Sequence, residues 1–217
     1  IKKLFNQILA NKIINILPYK LTNAQLNSLK EINLDINSNE RMFRVLQGDV
    51  GSGKTIVAFI SIANVIESNH QCAFMCPTEI LAHQHYKFAK KIFKNTNVNV
   101  KFLSGKTEAK NKKLILQNLK EGNIDLLIGT HALFQKKIKF KNLGFIVIDE
   151  QHKFGVKQRM SLANKGGKNC DVLLMSATPI PRTMMLTIYG DMDVSRLIEK
   201  PKNRLPILTY SKPEKKN

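Results

Sequence analysis

The sequence predicts an α/β fold: a doubly wound, mostly parallel sheet preceded by two helices. Two observations predict it. Six short apolar runs alternate with helix-length segments, the pattern of strands joined by crossover helices. The 217 residues, 43% of them hydrophobic, suffice for one sizeable domain with a real core, with room for an appendage.

The elements follow in order. Ile1–Leu17 reads as an amphipathic helix stopped at Pro18. Leu21–Ile36 reads as a second helix, with Thr22 in place to cap its N-terminus. The stretch "DINSNE" then breaks the pattern. Strands are expected at Met42–Leu46, Cys72–Cys76, Val98–Leu103, Ile124–Ile128, Phe145–Ile148 and Val172–Met175. Helices are expected between them, at Thr55–Ser68 and Ile80–Phe93 among others. After Ile198 the chain turns rich in Pro and Lys and reads as a linker or a terminus. The division that results is 1–40, a helical lead-in; 41–198, the α/β domain; and 199–217, a linker or the start of a further domain.

Composition sets bounds. The longest apolar runs are strand-sized, so no membrane span is expected. The opening "IKKLFNQILANKII" mixes charge and amide through its apolar positions, unlike a signal peptide. A chain that opens on Ile1 rather than Met reads as a piece of a longer protein. Cys72, Cys76 and Cys170 read as buried free thiols of a reducing cytosol. Lys and Arg total 35 against 16 Asp and Glu, a formal net charge of +19. A polyanion such as nucleic acid fits that balance. So does a compositional account, because Lys, Asn and Ile are abundant together and the lysines are scattered.

The strand ends carry the main functional signal. The six runs lead into "QGDVGSGKT", "PT", "SG", "GTH", "DEQH" and "SAT". Ligands of doubly wound sheets bind at the carboxyl ends of the strands, so small, polar and charged residues converge on one edge.

"GDVGSGKT" satisfies GxxxxGK[ST] between a strand and a helix, the context that a phosphate-binding P-loop needs. Gly48, Asp49, Gly51, Ser52 and Gly53 form the loop, and its glycines let backbone N–H groups approach phosphate oxygens. The helix start adds the positive end of its dipole. Lys54 is expected to reach the β- and γ-phosphates, and the Thr55 hydroxyl to ligate Mg²⁺.

Asp149 and Glu150 close the fifth run. Adjacent residues of an extended chain point to opposite sides, so two acids there can take different tasks. Asp149 is expected to hold Mg²⁺ through its water shell, and Glu150 to orient or deprotonate the attacking water. A pair of solvated acids at a loop mouth is the plainer alternative. Upstream, "LPYKLTNAQ" offers Tyr19 to stack on a base and Gln25 to pair with an adenine edge. A helix-face Gln is more often simply solvated.

Together these motifs resemble the superfamily 2 helicases of the DExH type, and among them the branch-migrating DNA helicases of bacteria. The resemblance spans nearly the whole chain. "LTNAQ" resembles the glutamine motif, "GDVGSGKT" the first motif, "PTEILAHQH" the Ia region and "GTHAL" the Ib region. "DEQHKFGVKQR" resembles the second motif and "SATPIPRT" the third. Gln151 favours the branch-migrating group over the transcription-repair coupling factor and the primosomal helicase, which carry Glu there. His83 and Lys153 depart from the usual Glu and Arg, and Lys153 lacks a bidentate donor.

The resemblance implies a RecA-like P-loop NTPase domain using ATP and Mg²⁺. Its catalytic group is Lys54, Asp149, Glu150 and His152. It places Pro77, Thr78, Ser104, Gly105, Gly129 and Thr130 against the phosphates of one DNA strand, and extends that set to His131. His152, Ser176 and Thr178 couple the γ-phosphate to DNA grip, although local backbone capping explains the two hydroxyls as well. Phe154 and Arg159 face DNA, while core packing suits Phe154 equally. The implied partners are branched DNA (stalled forks and four-way junctions), a second motor domain and a wedge domain. The implied setting is a monomer, cytoplasmic and nucleoid-associated. Two alternatives stand: the coupling factor's translocase domain, and a catalytically silent nucleotide-binding scaffold.

Overall fold

The computed structural model describes residues 2–135, 137–149, 167, 170–178 and 192–199. The helices are α1 (Ile8–Ile16), α2 (Asn23–Ile36), α3 (Lys54–Glu67), α4 (Glu79–Ile92) and α5 (Ala109–Glu121). The strands are β1 (Phe43–Gly48), β2 (Gln71–Met75), β3 (Val100–Leu103), β4 (Leu126–Gly129), β5 (Leu143–Ile148), β6 (Asp171–Ser176) and β7 (Asp193–Leu197). A 3-10 turn covers His131–Phe134.

The seven strands form one sheet in the order β3-β4-β2-β5-β6-β1-β7, and every pairing is parallel. Side chains alternate across it. Cys72 and Phe74 of β2 enter one apolar layer, beneath α3 and α4. Ala73 and Met75 enter the other, shared with Leu119 of α5. The three cysteines are free and buried. Burial pushes the Cys170 thiol up to about 12.

Helix α3 explains the lead-in. It is buried all round and mostly apolar: Val57, Ala58, Phe59, Ile60, Ile62 and Ala63 are all buried, with Ser61 and Asn64 among them. Such a helix needs cover on its outer side as well as on the sheet. Ala10 and Ile13 of α1 and Leu29, Ile32 and Ile36 of α2 join the same apolar layer.

Two sequence expectations are corrected. The first helix begins at Ile8, not Ile1. Gln7 sits in the left-handed region at φ 61°, and the Glu67 carboxylate accepts from the Asn6 and Leu9 amides. Lys3 is drawn inward instead. Its Nζ lies 2.6 Å from Asp171 Oδ2, and the pair is almost fully buried. The sheet also has a seventh strand, β7, on the outer edge of β1. "DVSRL" is short and charged, so it lacks an apolar signal. Arg44 of β1 ties it in: it donates to Asp35 of α2 at 2.7 Å and to Ser195 of β7 at 3.0 Å.

Candidate nucleotide and nucleic-acid site

The strand register sets the layout. Met75, Gly129 and Leu103 lie side by side at the ends of β2, β4 and β3. Ile148 of β5 is level with Met75, and Ser176 of β6 with Gln47 of β1. The loops after these strands therefore open on one edge. The P-loop, Asp149 and Ser176 occupy one half, and Thr78, Ser104 and Thr130 the other.

The P-loop follows β1. Gly51 and Gly53 have φ of 80° and 91°, a region that side chains disfavour. A Cβ at Gly53 would also lie 2.1 Å from Gln25 Nε2. Lys54 folds back, and its Nζ donates to the carbonyls of Gly48 and Asp49. Ser52 Oγ is buried with no hydrogen-bond partner among the described residues. Thr55 is half-buried at the first turn of α3. Mg·ATP fits this donor set. Glycine-held backbone, a lysine resting on carbonyls it can exchange for phosphate, and an orphaned buried hydroxyl together make an anion cradle. Lys54 and Ser52 would hold phosphate, and Thr55 and Asp149 the cation; the bound cation would neutralise charge on the phosphates.

Gln25 is buried, not solvated. With Thr22 it forms a capping box: its amide N–H donates to Thr22 Oγ1, and its Oε1 accepts from the Thr22 N–H at 2.9 Å. Its Nε2 donates to the Ser52 carbonyl at 2.8 Å. A carboxamide has two N–H donors and two lone pairs on oxygen, so capacity for a base edge remains. Tyr19 stands exposed just upstream, and partial burial raises its phenol above the usual value.

Asp149 is nearly buried at the end of β5, and its amide donates to the Met75 carbonyl at 2.8 Å. Its Oδ2 lies 3.0 Å from His85 Nε2 of α4. The sequence reading assigned His85 no role; its only signal was its place in "PTEILAHQH". Gln47 was missed as well, and its side chain donates to the Thr178 carbonyl at 3.2 Å. Ser176 and Thr178 bond to one another: Ser176 Oγ donates to the Thr178 carbonyl, and the Thr178 N–H donates back to Ser176 Oγ. Glu150, His152, Phe154 and Arg159, and with them Gln151 and Lys153, lie outside the described residues.

On the other half, Thr78 is exposed and caps α4, accepting from the Leu81 amide. Pro77 beside it is half-buried, and His131 is exposed. Ser104 is buried within a tight turn, where its Oγ accepts from the Lys106 N–H. Glu79 closes over this turn, and its hydrogen bond to Ser104 and the nearby Lys106 hold its carboxyl below the usual range. Gly105 projects into open space. Gly129 is required sterically, since a Cβ there would lie 2.2 Å from the Leu103 carbonyl oxygen. Thr130 is largely buried beside it.

The chain is similar to known helicases. The DEAD/DEAH box helicase family matches residues 22–186. The chain is 53% identical over 199 residues to the ATP-dependent DNA helicase RecG of Aquifex aeolicus, covering 91% of this chain and 25% of that protein. It is 48% identical over 209 residues to RecG of Borreliella burgdorferi, covering 96% of this chain and 30% of that protein. The chain thus spans between a quarter and a third of these curated relatives. A structure of RecG bound to a three-way DNA junction superposes with a TM-score of 0.83 at 48% identity, covering 95% of this chain and 28% of that one. Mycobacterium smegmatis helicase Lhr, bound to single-stranded DNA and AMP-PNP, shares the fold at a TM-score of 0.65 and 17% identity, over 90% of this chain and 28% of that one. The RecA-like sheet is shared with these proteins, and the chain belongs to the DEAD/DEAH box helicase family.

Proposed function

We propose that this chain is the first motor domain of an ATP-dependent DNA helicase that remodels branched DNA, at stalled forks and four-way junctions, by branch migration. The observation that carries the proposal is the shared edge. A phosphate cradle and an acidic cation site stand beside a row of small polar strand ends, on one rigid parallel sheet. Residues 1–40 form a lead-in that carries the adenine-recognising Gln25, and 41–198 form the motor domain. Residues 199–217 lead toward a second motor domain.

The roles divide along that edge. Lys54 and the loop Gly48, Asp49, Gly51, Ser52 and Gly53 bind phosphates. Thr55 and Asp149 hold Mg²⁺, while Glu150 and His152 act on the attacking water and the γ-phosphate. Pro77, Thr78, Ser104, Gly105, Gly129 and Thr130 track one DNA strand through its phosphates, with Phe154 and Arg159 alongside. Ser176 and Thr178 couple the two halves; their mutual bonds describe one state of that coupling, which nucleotide would exchange. A wedge domain supplies the choice of DNA structure. The intact protein works as a monomer, in the cytoplasm at the nucleoid.

The test is DNA-stimulated ATP hydrolysis by the full-length protein. Forks and four-way junctions should stimulate more than linear duplex. Stimulation only by duplex carrying a stalled RNA polymerase would favour a coupling-factor translocase. Nucleotide binding without turnover on any DNA would leave a scaffold.

A further inference from the structure

His85 sits in the second turn of α4, on the face packed against the sheet, and its ring is held in place. Phe74 of β2 lies 4.8 Å away between centroids at 40°, and Phe59 of α3 lies 6.4 Å away at 45°. Phe59 and Phe74 are themselves stacked at 5.1 Å and 9°. This aromatic wall fixes the imidazole and aims Nε2 at Asp149 Oδ2, 3.0 Å distant, with both side chains only 12% exposed.

The chemistry of the pair gives the direction of the bond. An ionised carboxylate can only accept, so the ring nitrogen facing it must carry the proton. A donor held by packing removes the rotational freedom of the carboxylate and occupies one of its oxygens. Such outer partners orient metal-binding carboxylates and histidines across many metal sites.

We propose that His85 is a positioning residue for the cation site: its Nε2–H holds Asp149 in the orientation that receives Mg²⁺. The inference rests on the reading of Asp149 as the Mg²⁺-side carboxylate. His85 itself touches neither cation nor nucleotide. Its ring partners on α3 and β2 tie the Mg²⁺ carboxylate to the sheet's aromatic core, so that it is not a free loop side chain.

Two substitutions separate the hydrogen bond from the packing. His85→Phe keeps a ring against Phe59 and Phe74 and loses the donor. His85→Gln loses the ring and keeps an amide N–H near the position of Nε2. The readout is the MgCl₂ concentration that half-saturates binding of a fluorescent ADP, with thermal unfolding as the check on folding. His85→Phe should raise that concentration about tenfold, the low end of the effect of losing an outer-shell partner. His85→Gln should restore it to within about threefold of wild type. Wild-type cation dependence in His85→Phe, or equal loss in both variants, overturns the proposal. Should His85→Phe fail to fold, ¹⁵N spectra of the histidine ring decide: a protonated Nε2 in wild type that changes in Asp149→Ala supports it, and an unprotonated Nε2 overturns it. If wild type binds no Mg²⁺-dependent nucleotide at all, the reading of the nucleotide site itself falls, a result distinct from these.

Discussion

The Gln25 side chain donates to the backbone carbonyl of Ser52 at 2.8 Å. One bond therefore joins the first turn of α2 to the P-loop, across a gap too tight for any residue but glycine at position 53. Nucleotide affinity should depend on it. Thr22→Ala breaks only the capping box and should cost about 1 kcal/mol of stability with little change in ATP affinity. Gln25→Ala should cost a similar amount and weaken ATP about tenfold, the worth of one buried hydrogen bond near 1.4 kcal/mol. Calorimetry on both variants checks this. Equal ATP affinities would show that the tether is structural alone.

Lys54 rests on the carbonyls of Gly48 and Asp49, so its ammonium already lies within the loop that would receive phosphate. Lys54→Ala should lower nucleotide affinity by at least about 100-fold, because a full charge on phosphate is lost. Wild-type affinity in the variant would refute the assignment of the loop.

Binding of DNA should be indifferent to sequence and sensitive to salt. The exposed members of the edge are Thr78, Gly105, Lys106 and His131, groups that suit phosphates rather than bases. With about three phosphates neutralised, affinity should fall on the order of 10–100-fold between about 50 and 200 mM salt. Fluorescence anisotropy on two unrelated sequences measures it. A flat salt response, or a preference for one sequence, would contradict backbone tracking.

Lys3 and Asp171 form a buried pair, and Asp171 Oδ1 also accepts from the Met42 N–H at 2.8 Å. Lys3→Met strands the carboxylate and should cost about 3 kcal/mol at neutral pH. The pH dependence has a definite sign. Burial holds the Asp171 carboxyl above its ordinary value, against the pull of Lys3 and the Met42 amide. The folded state thus binds this proton more tightly than the unfolded chain, and the contribution is lost as pH rises through the folded value. Without Lys3 the folded value rises further, so the penalty of Lys3→Met should shrink as pH falls from 7 toward 5. Urea unfolding at several pH values tests this, and a penalty that grew in acid would contradict it.

The legible parts of the fold are those set by local chemistry. Strands buried on both faces, such as β2, β5 and β6, announce themselves as apolar runs, and all six expected strands are present within a few residues. Thr22 caps α2 as its type and place predict. What stayed hidden depends on distant partners. Helix α1 starts late because Asp171 and Glu67, remote in sequence, claim Lys3 and the backbone around Gln7. Strand β7 is held at the sheet edge by charge pairing with Arg44, which no apolar pattern reports. In the site, the P-loop glycines and lysine are contiguous and could be read directly. The His85–Asp149 contact spans 64 positions and could not. Ser104 also differs from the sequence picture, since a hydroxyl buried in its own turn is invisible to a motif.

The 217-residue chain by itself should bind nucleotide yet hydrolyse it very slowly, with little response to DNA. Charge that develops on the transferring phosphoryl group must be stabilised from more than one side. In the proposed site, Lys54 and a cation near Asp149 would serve one side. Among the described arginines, Arg41 and Arg44 lie at the opposite end of β1 from the P-loop, engaged with the Cys170 carbonyl and with Asp35, and Arg196 is exposed on β7, level with Gln47 of β1. An arginine finger supplied by a partner typically contributes on the order of 10³–10⁵ in rate, and curated relatives are three to four times longer than this chain. Binding and turnover should therefore separate: the site fills, and chemistry waits for a second motor domain. Adding that domain in trans should recover part of the rate, limited by its weak association once unlinked. Single-turnover hydrolysis with and without the added domain measures the gain. Junction-stimulated turnover of about one per second or more by the chain alone, within the ordinary range of enzymes, would show that it is a complete motor rather than half of one.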